Sequence, residues 1–397
     1  MKASPGELDV SFSGDGKVTT QFASESADEA HAVAVQPDGK IVAAGESTGD
    51  FALARYTTAG TLDPSFGDGG RVQTVFDLGS DDVVSALAIQ ADGKIVAVGV
   101  SNNRFALARY DTDGALDTTF NGDGKVITQF TSGSADLAFA VAVQADGKIV
   151  AAGVSNDKFA LARYKTNGAL DTAFNGDGKV ITHFTAGSAD QAQSVAIQAD
   201  GKIVAAGESF PSSSATADFA LARYTPGGGL DTTFSGDGKL TTCFAAGSDD
   251  SADAVAVQAD GRIVAAGFSG QRFGLSRYTP AGRLDATWGG DGKVTTRFSD
   301  RSTDSADAVA IQENGKIVAA GDSSLTNDHF ALARYRTDGG LDSTFGGDGT
   351  VTTHFTTRSD DVAFAMAIQA DGNVVAAGRC ELSYYYSRFA LARYVAS

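Results

Sequence analysis

The chain has 397 residues, 49 acidic against 31 basic, and a formal net charge of −18. So acidic a chain excludes nucleic acid and anionic membranes as electrostatic partners, and it holds no run of ~20 apolar residues able to span a bilayer. Length alone would suggest two or three domains, but an internal repeat overrides that arithmetic.

The first segment with strand character is the G-K-V-x-T-x-F pattern at Gly16–Phe22, which precedes the first full unit. Seven units follow. In the third, A-V-A-V-Q (Ala140–Gln144) leads through the hairpin pair Asp146-Gly147 into K-I-V-A-A (Lys148–Ala152). F-A-L-A-R-Y (Phe159–Tyr164) comes next, and G-K-V-x-T-x-F (Gly178–Phe184) completes the unit. No segment sustains apolar residues at helical spacing, and Gly and Thr interrupt too often for helices. The first two strands are apolar on both faces, Ala on one and Val or Ile on the other, as strands covered on both sides require.

Two markers count the units. The arginine of F-A-L-A-R-Y recurs at Arg55, Arg109, Arg163, Arg223, Arg277 (in F-G-L-S-R-Y), Arg334 and Arg393. An aspartate ahead of the apolar run recurs at Asp28, Asp82, Asp136, Asp190, Asp250, Asp304 and Asp361. The basic period of 54 residues, Asp82 to Asp136, signals a solenoid, a propeller or an array. Four-stranded sheets packed face to face around an axis are propeller blades. The reading is therefore all-β: a seven-bladed β-propeller with four antiparallel strands per blade, one domain over residues 1–397, and seven small inter-blade cores. The chain opens on a fourth strand and stops just after a third, Phe389–Tyr394. Pairing those two within one blade closes the ring and removes two aggregation-prone edges.

The segments L-D-x-x-F-x-G-D-G-K-V, A-V-x-Q-x-D-G-K-I-V-A-A-G and F-A-L-A-R-Y resemble the bacterial delta-60 repeat, a propeller-forming family. The resemblance covers nearly the whole chain and all seven units. It implies a propeller in a secreted or surface bacterial protein, and it brings no catalytic residues with it. Met1-Lys2-Ala3 runs straight into the repeat and shows no secretory leader, so a cytoplasmic location stands as the alternative to an extracellular one. Cys243, in a fourth strand, and Cys380, in a loop of unit seven, fall on well-separated blades, and two free thiols are expected. A monomer without cofactor or bound metal is expected.

Spacing is more informative than identity. Eight residues always separate the arginine from the next L-D aspartate, nineteen lead on to the next unit's aspartate, and seventeen to the glycine ending the second strand. Only the connection between second and third strands varies: five residues in units one, two, three and five, eleven in unit four (Glu208–Asp218), eight in unit six (Asp322–His329) and ten in unit seven (Arg379–Arg388). Variation confined to one rim of a fixed scaffold is where grafted function is expected.

Several residue series carry candidate chemistry. The seven arginines share a strand face with Phe and Leu and need acceptors if buried. The L-D aspartates, Asp9, Asp63, Asp117, Asp171, Asp231, Asp285 and Asp342, are their expected partners, tying connector to blade. The series Asp28 to Asp361 enters the innermost strand at the variable rim. It is read as accepting backbone N–H bonds in its own turns, with an acidic, cation-holding ring at the channel mouth as the alternative. G-D-G segments such as Gly122-Asp123-Gly124 lack the rest of a calcium loop and are read as turns. The G-x-S-x-G match Gly45–Gly49 lies between antiparallel strands and not on a nucleophile elbow. Gly321-Asp322-Ser323 likewise lies on the rim, outside a serine-protease fold. His31, His183, His329 and His354 are singletons without metal-ligand spacing. The His31 position varies widely, as Ser85, Phe139, Gln193, Asp253, Asp307 and Phe364, which hints at a ligand surface in the channel.

The candidate ligand site is the rim of units six and seven, where Tyr384, Tyr385 and Tyr386 are flanked by Arg379 and Arg388, with His329, Arg301 and Arg358 nearby. Tyr and Arg are enriched at binding hot spots. The function expected is a non-enzymatic binding scaffold that recognises a protein or glycan partner through that rim. The alternatives are a hydrolase or lyase using rim carboxylates at the channel mouth, and a structural module of a surface assembly. An enzyme would show carboxylates, or a carboxylate and a histidine, converging in a deep pocket with displaced pKa values. A binder would show a broad surface bearing aromatic residues.

Overall fold

The computed structural model describes residues 3–77, 79–212, 216–383 and 386–396. Seven four-stranded antiparallel sheets surround a central channel. In blade one the strands are Asp28–Val35, Ile41–Ser47, Asp50–Tyr56 and Arg71–Thr74, in order from the channel outward. Blade seven takes its fourth strand, Lys17–Thr20, from the start of the chain: Lys17 pairs with Ala392 and Thr20 with Phe389. The expected ring closure is present, two residues shorter than the sequence pattern, and Phe22 beyond it packs edge-on to Phe389 at 5.0 Å.

The core is seven apolar clusters, each shared between neighbouring blades. Between blades two and three, Val96, Val98, Phe105 and Leu107 meet Ile149, Ala151, Ala160 and Ala162. The large face of one blade thus fits the alanine face of the next, which explains the two-faced apolar pattern and lets the blades pack closely. A second device fastens each blade to its predecessor. The tyrosine ending F-A-L-A-R-Y donates its hydroxyl to a threonine of the previous fourth strand, as Tyr56 does to Thr20 at 2.7 Å and Tyr110 to Thr74 at 2.9 Å.

The arginine series is buried and paired as expected. Arg55 donates from Nε to Asp63 at 2.9 Å and from Nη2 to Ser65 at 3.0 Å, and Nη1 reaches the Thr112 carbonyl of the next blade. The guanidinium also lies over Phe66, 4.6 Å from the ring centroid. The phenylalanine of L-D-x-x-F is therefore the floor of the arginine site, a role that the sequence pattern did not disclose. Burial alone would raise Asp63, but the Ser65 hydroxyl and amide, Lys40 and Arg55 hold it at about 2.

Arg163→Ala is expected to cost about 3 kcal/mol, because Asp171 then stays buried without its main cation. Arg163 Nε lies 2.9 Å from Asp171, and Lys148, not Lys158 or Lys165, is the other nearby cation, at 3.7 Å. Urea unfolding checks this. A loss below roughly 0.5 kcal/mol, the scale of ordinary surface substitutions, contradicts it, and the Arg163→Ala, Lys148→Ala pair should lose more than Arg163→Ala alone.

Much of what reads as long loops is strand. The second and third strands run Ile203–Phe210 and Asp218–Tyr224 in blade four, Ile317–Ser324 and Asp328–Tyr335 in blade six, and Val374–Ser383 and Tyr386–Tyr394 in blade seven. Extra residues lengthen the hairpin because a ladder satisfies backbone groups that an open loop leaves to water. Cys380 is consequently a strand residue, paired with Asp361 and Arg388 and buried, and not a loop residue. Cys243 is exposed, and both thiols are free.

Candidate functional site

Each innermost strand carries one β-bulge. In blade one, Ala30 pairs with Gly45 and Ala32 with Ala44, leaving His31 as the extra residue. The second strand must come unusually close here: a Cβ on Gly45 would lie 1.8 Å from the Glu29 carbonyl oxygen. This is why the pattern K-I-V-A-A ends in glycine. A bulge re-aims side chains, and the seven bulge residues, from His31 to Phe364, all line the channel, a cavity of about 550 Å³. The widely varying position noted in the sequence is therefore a single ring inside the propeller.

That ring is chemically lopsided. Asp253 and Asp307 sit side by side on blades five and six, with Glu208 and Asp322 on the hairpins nearer the mouth. Both aspartates are half-buried, opening only onto the channel. Burial pushes Asp253 up to about 7, reinforced by the Glu208 charge and opposed by the Ser251 hydroxyl, which donates to it at 2.7 Å. Burial likewise lifts Asp307 well above the carboxylate range, with Asp253 and Asp322 adding repulsion. Its Oδ2 is buried without a hydrogen-bond partner. Asp322 rises to about 7 through burial and the charges of Asp328 and Asp304.

Opposite these lies a second group. Glu29 pairs across the ladder with Glu46, and His31 is two residues on. The His31 ring packs against Phe364, centroids 5.1 Å apart. Burial lowers its pKa and so favours the neutral imidazole. Burial and the Glu29 charge raise Glu46.

The repeated aspartates do not form an acidic ring. Asp28 is fully buried and accepts from the Phe22 amide at 2.9 Å and the Ser26 hydroxyl at 2.7 Å. The same turn recurs at Asp136 and Asp250. The series braces the entry to each innermost strand.

The candidate residues of blades six and seven fall in three places. Arg379 turns toward blade one, where it bridges Glu29 at 3.0 Å and Glu381 at 3.4 Å and lies 5.8 Å from the centroid of Phe364, a channel residue. Arg388 lies on the other side of blade seven, sharing a recess with Lys17, Cys380 and Leu382. His329 packs at a tilt against His354, centroids 3.7 Å apart, and burial lowers its pKa, which favours the neutral ring. Arg301 and Arg358 are exposed in the turns before the innermost strands of their blades. The Arg358 carbonyl accepts from the Asn327 amide at 3.3 Å. Tyr386 is 37% exposed, while Tyr384 and Tyr385 lie outside the described residues. Sequence reasoning missed the Asp253–Asp307 pair and the Glu29–His31–Glu46 group, though both contain positions it had marked as variable.

Several solved structures share this fold. Virginiamycin B lyase from Staphylococcus aureus is 10% identical with a TM-score of 0.55, covering 96% of this chain and 98% of that one. The polysaccharide lyase Uly1 is 11% identical with a TM-score of 0.50, covering 93% and 90%. YCF48 bound to D1 peptide is 12% identical with a TM-score of 0.50, covering 99% and 100%. At such identities the likeness shows the fold alone. No curated protein matches the sequence. Six segments, 36–66, 90–120, 144–174, 198–234, 258–287 and 312–345, match the model described as "Domain of unknown function (DUF5122) beta-propeller", so the chain is built of propeller-forming repeats similar to that family.

Proposed function

We propose that the protein is a non-enzymatic binding scaffold that captures a protein or glycan partner on the projecting hairpins of blades six and seven. The observation that carries this reading is apolar exposure on two adjacent hairpins: Leu325 is 57% exposed, Leu382 42% and Tyr386 37%. The blade-seven strands run 10 and 9 residues, against 7 and 7 in blade one, so this hairpin stands above the rim. Exposed apolar residues rimmed by polar ones mark interaction surfaces, and the flanking Arg388 and Arg358 supply donors. The partner would present acidic or hydroxyl groups to these arginines and apolar surface to the leucines.

The test compares the wild type with a Leu325→Ser, Leu382→Ser, Tyr386→Ser variant in capture from host culture medium and on a glycan array. Capture roughly tenfold weaker or more, the scale of losing a hot spot, with an unchanged melting temperature, is the expected result. Equal capture by both, or none by the wild type, overturns the reading.

A second reading, a hydrolase or lyase, is favoured by Asp253 and Asp307. A carboxyl titrating near 7 is protonated often enough to serve as a general acid at neutral pH. The fold is shared by lyases and by a peptide-bound protein, so the site must decide. Turnover of a glycan or ester panel that disappears in Asp253→Asn would favour this reading over the first.

A further inference from the structure

We propose that Glu29, His31 and Glu46 form a binding site for one divalent transition-metal cation, Zn²⁺ or Mn²⁺, at the hairpin-side mouth of the channel. The inference goes beyond the partner-binding reading and stands or falls separately from it. One donor atom from each side chain lies within 4.8 Å of the other two. Ligands at about 2.1 Å from one ion stand roughly 3–4 Å apart, so small side-chain rotations close the set. Two carboxylate oxygens with one imidazole nitrogen suit Zn²⁺ and Mn²⁺ better than Ca²⁺ or Mg²⁺, which take oxygen alone.

The scaffold does not require these residues. The same three positions hold Val83, Ser85 and Val100 in blade two, and Leu137, Phe139 and Val154 in blade three. Blade one departs from this by placing two like charges directly opposite each other, an arrangement that costs stability unless a cation answers it. Arg379 answers Glu29 but divides its guanidinium with Glu381. Among the described residues, Glu46 has neither an ion pair nor a hydrogen bond, and Asp81 adds a further negative charge.

His31 is the independent observation. It is half-buried on the channel wall, and neither ring nitrogen has a hydrogen-bond partner among the described residues. A half-buried imidazole without hydrogen-bond partners, with a ring nitrogen within 4.8 Å of a donor oxygen on each of two carboxylates, is free to take a ligand. Arg379 then serves as the outer partner that orients Glu29.

A second trio, Asp218, Cys243 and Asp250, is also close enough for an ion. There the Asp250 Oδ2 is taken by the Phe244 amide and the Ser248 hydroxyl. The Cys243 thiol donates to the Ala245 carbonyl at 2.9 Å, and burial favours its protonated form. It is removed from the experiment by substitution.

The test uses the full chain carrying Cys243→Ser, stripped with a chelator and then dialysed free of it, titrated calorimetrically with ZnCl₂ and with MnCl₂. Two further variants borrow residues that sister blades already carry, His31→Ser and Glu46→Val, so the blade is expected to fold. One-to-one binding in the background protein, weakened tenfold or more in each variant, is the expected result. A metal-dependent rise in melting temperature should vanish in parallel. Absence of stoichiometric binding by the folded background protein, or binding undiminished in both variants, overturns the proposal.

Discussion

Deleting residues 1–22 is expected to destabilise the protein by at least about 5 kcal/mol and to make it associate. The deletion removes the strand paired with Phe389–Ala392 and exposes the third strand of blade seven as a free edge. It also removes Phe12, fully buried beneath Arg393, worth about 2 kcal/mol of burial. Asp9, 2.9 Å from Arg393, goes with it and leaves a buried guanidinium without its carboxylate, a loss of about 3 kcal/mol or more. The melting temperature should fall on the order of 10 °C, and light scattering should show species above the monomer. A truncated protein with unchanged melting temperature and monomer fraction would show that closure contributes nothing to stability.

The second large effect is a stability maximum near pH 4–5, with a decline toward neutrality. Asp253 and Asp322 titrate at about 7 in the folded protein, and Asp307 is raised as well, against 3.8 for a free aspartate. The folded state therefore holds protons that the unfolded chain has released. Their contribution is full below pH ~4 and is lost as pH rises through the folded values. For Asp253 and Asp322 the displacement of about 3 pH units corresponds to roughly 4 kcal/mol each. Mutual coupling and water in the channel reduce this, and a total loss of about 3–6 kcal/mol between pH 4.5 and 8 is expected.

The acid side has the opposite sign. Asp63, Asp231 and Asp285 are held at about 2, their partners' hydrogen bonds and charges outweighing burial, so their stabilisation is present above pH ~4 and lost below it. Urea unfolding at pH 3, 4.5, 6 and 8 traces both limbs. Asp253→Asn and Asp307→Asn keep the shape of the protonated acid and should each gain stability at pH 8, about 2–3 kcal/mol for Asp253→Asn, with little change at pH 4.5. Wild-type stability that climbs steadily to pH 8, or Asn variants weaker than wild type there, would mean that the channel carboxylates are ionised and satisfied.

What the sequence determined by itself was everything repeated seven times. Strand number, the Asp-Gly hairpins and the Arg–Asp pairs within each unit depend on period-2 alternation, fixed spacing and turn chemistry, and these act between residues near each other in the chain. Repetition amplifies them, since an ambiguous strand in one unit is clear in six others. The closing strand was legible because it is the one element missing from the last unit. Only the tertiary structure decided what meets across the ring. Arg379 reads as a rim cation beside the tyrosines, yet blade closure brings Glu29, 350 residues away, to take its charge. Glu29 and His31 are neighbours in sequence, but their convergence with Glu46 depends on a bulge opposite Gly45 that turns the histidine inward. Asp253 and Asp307 are 54 residues apart, one repeat, and become a pair because the bulge sets both on the channel wall of adjacent blades. Non-repeated residues have no second copy to corroborate them, and their meaning is radial: it depends on how far each strand stands from the axis, which ring closure alone establishes.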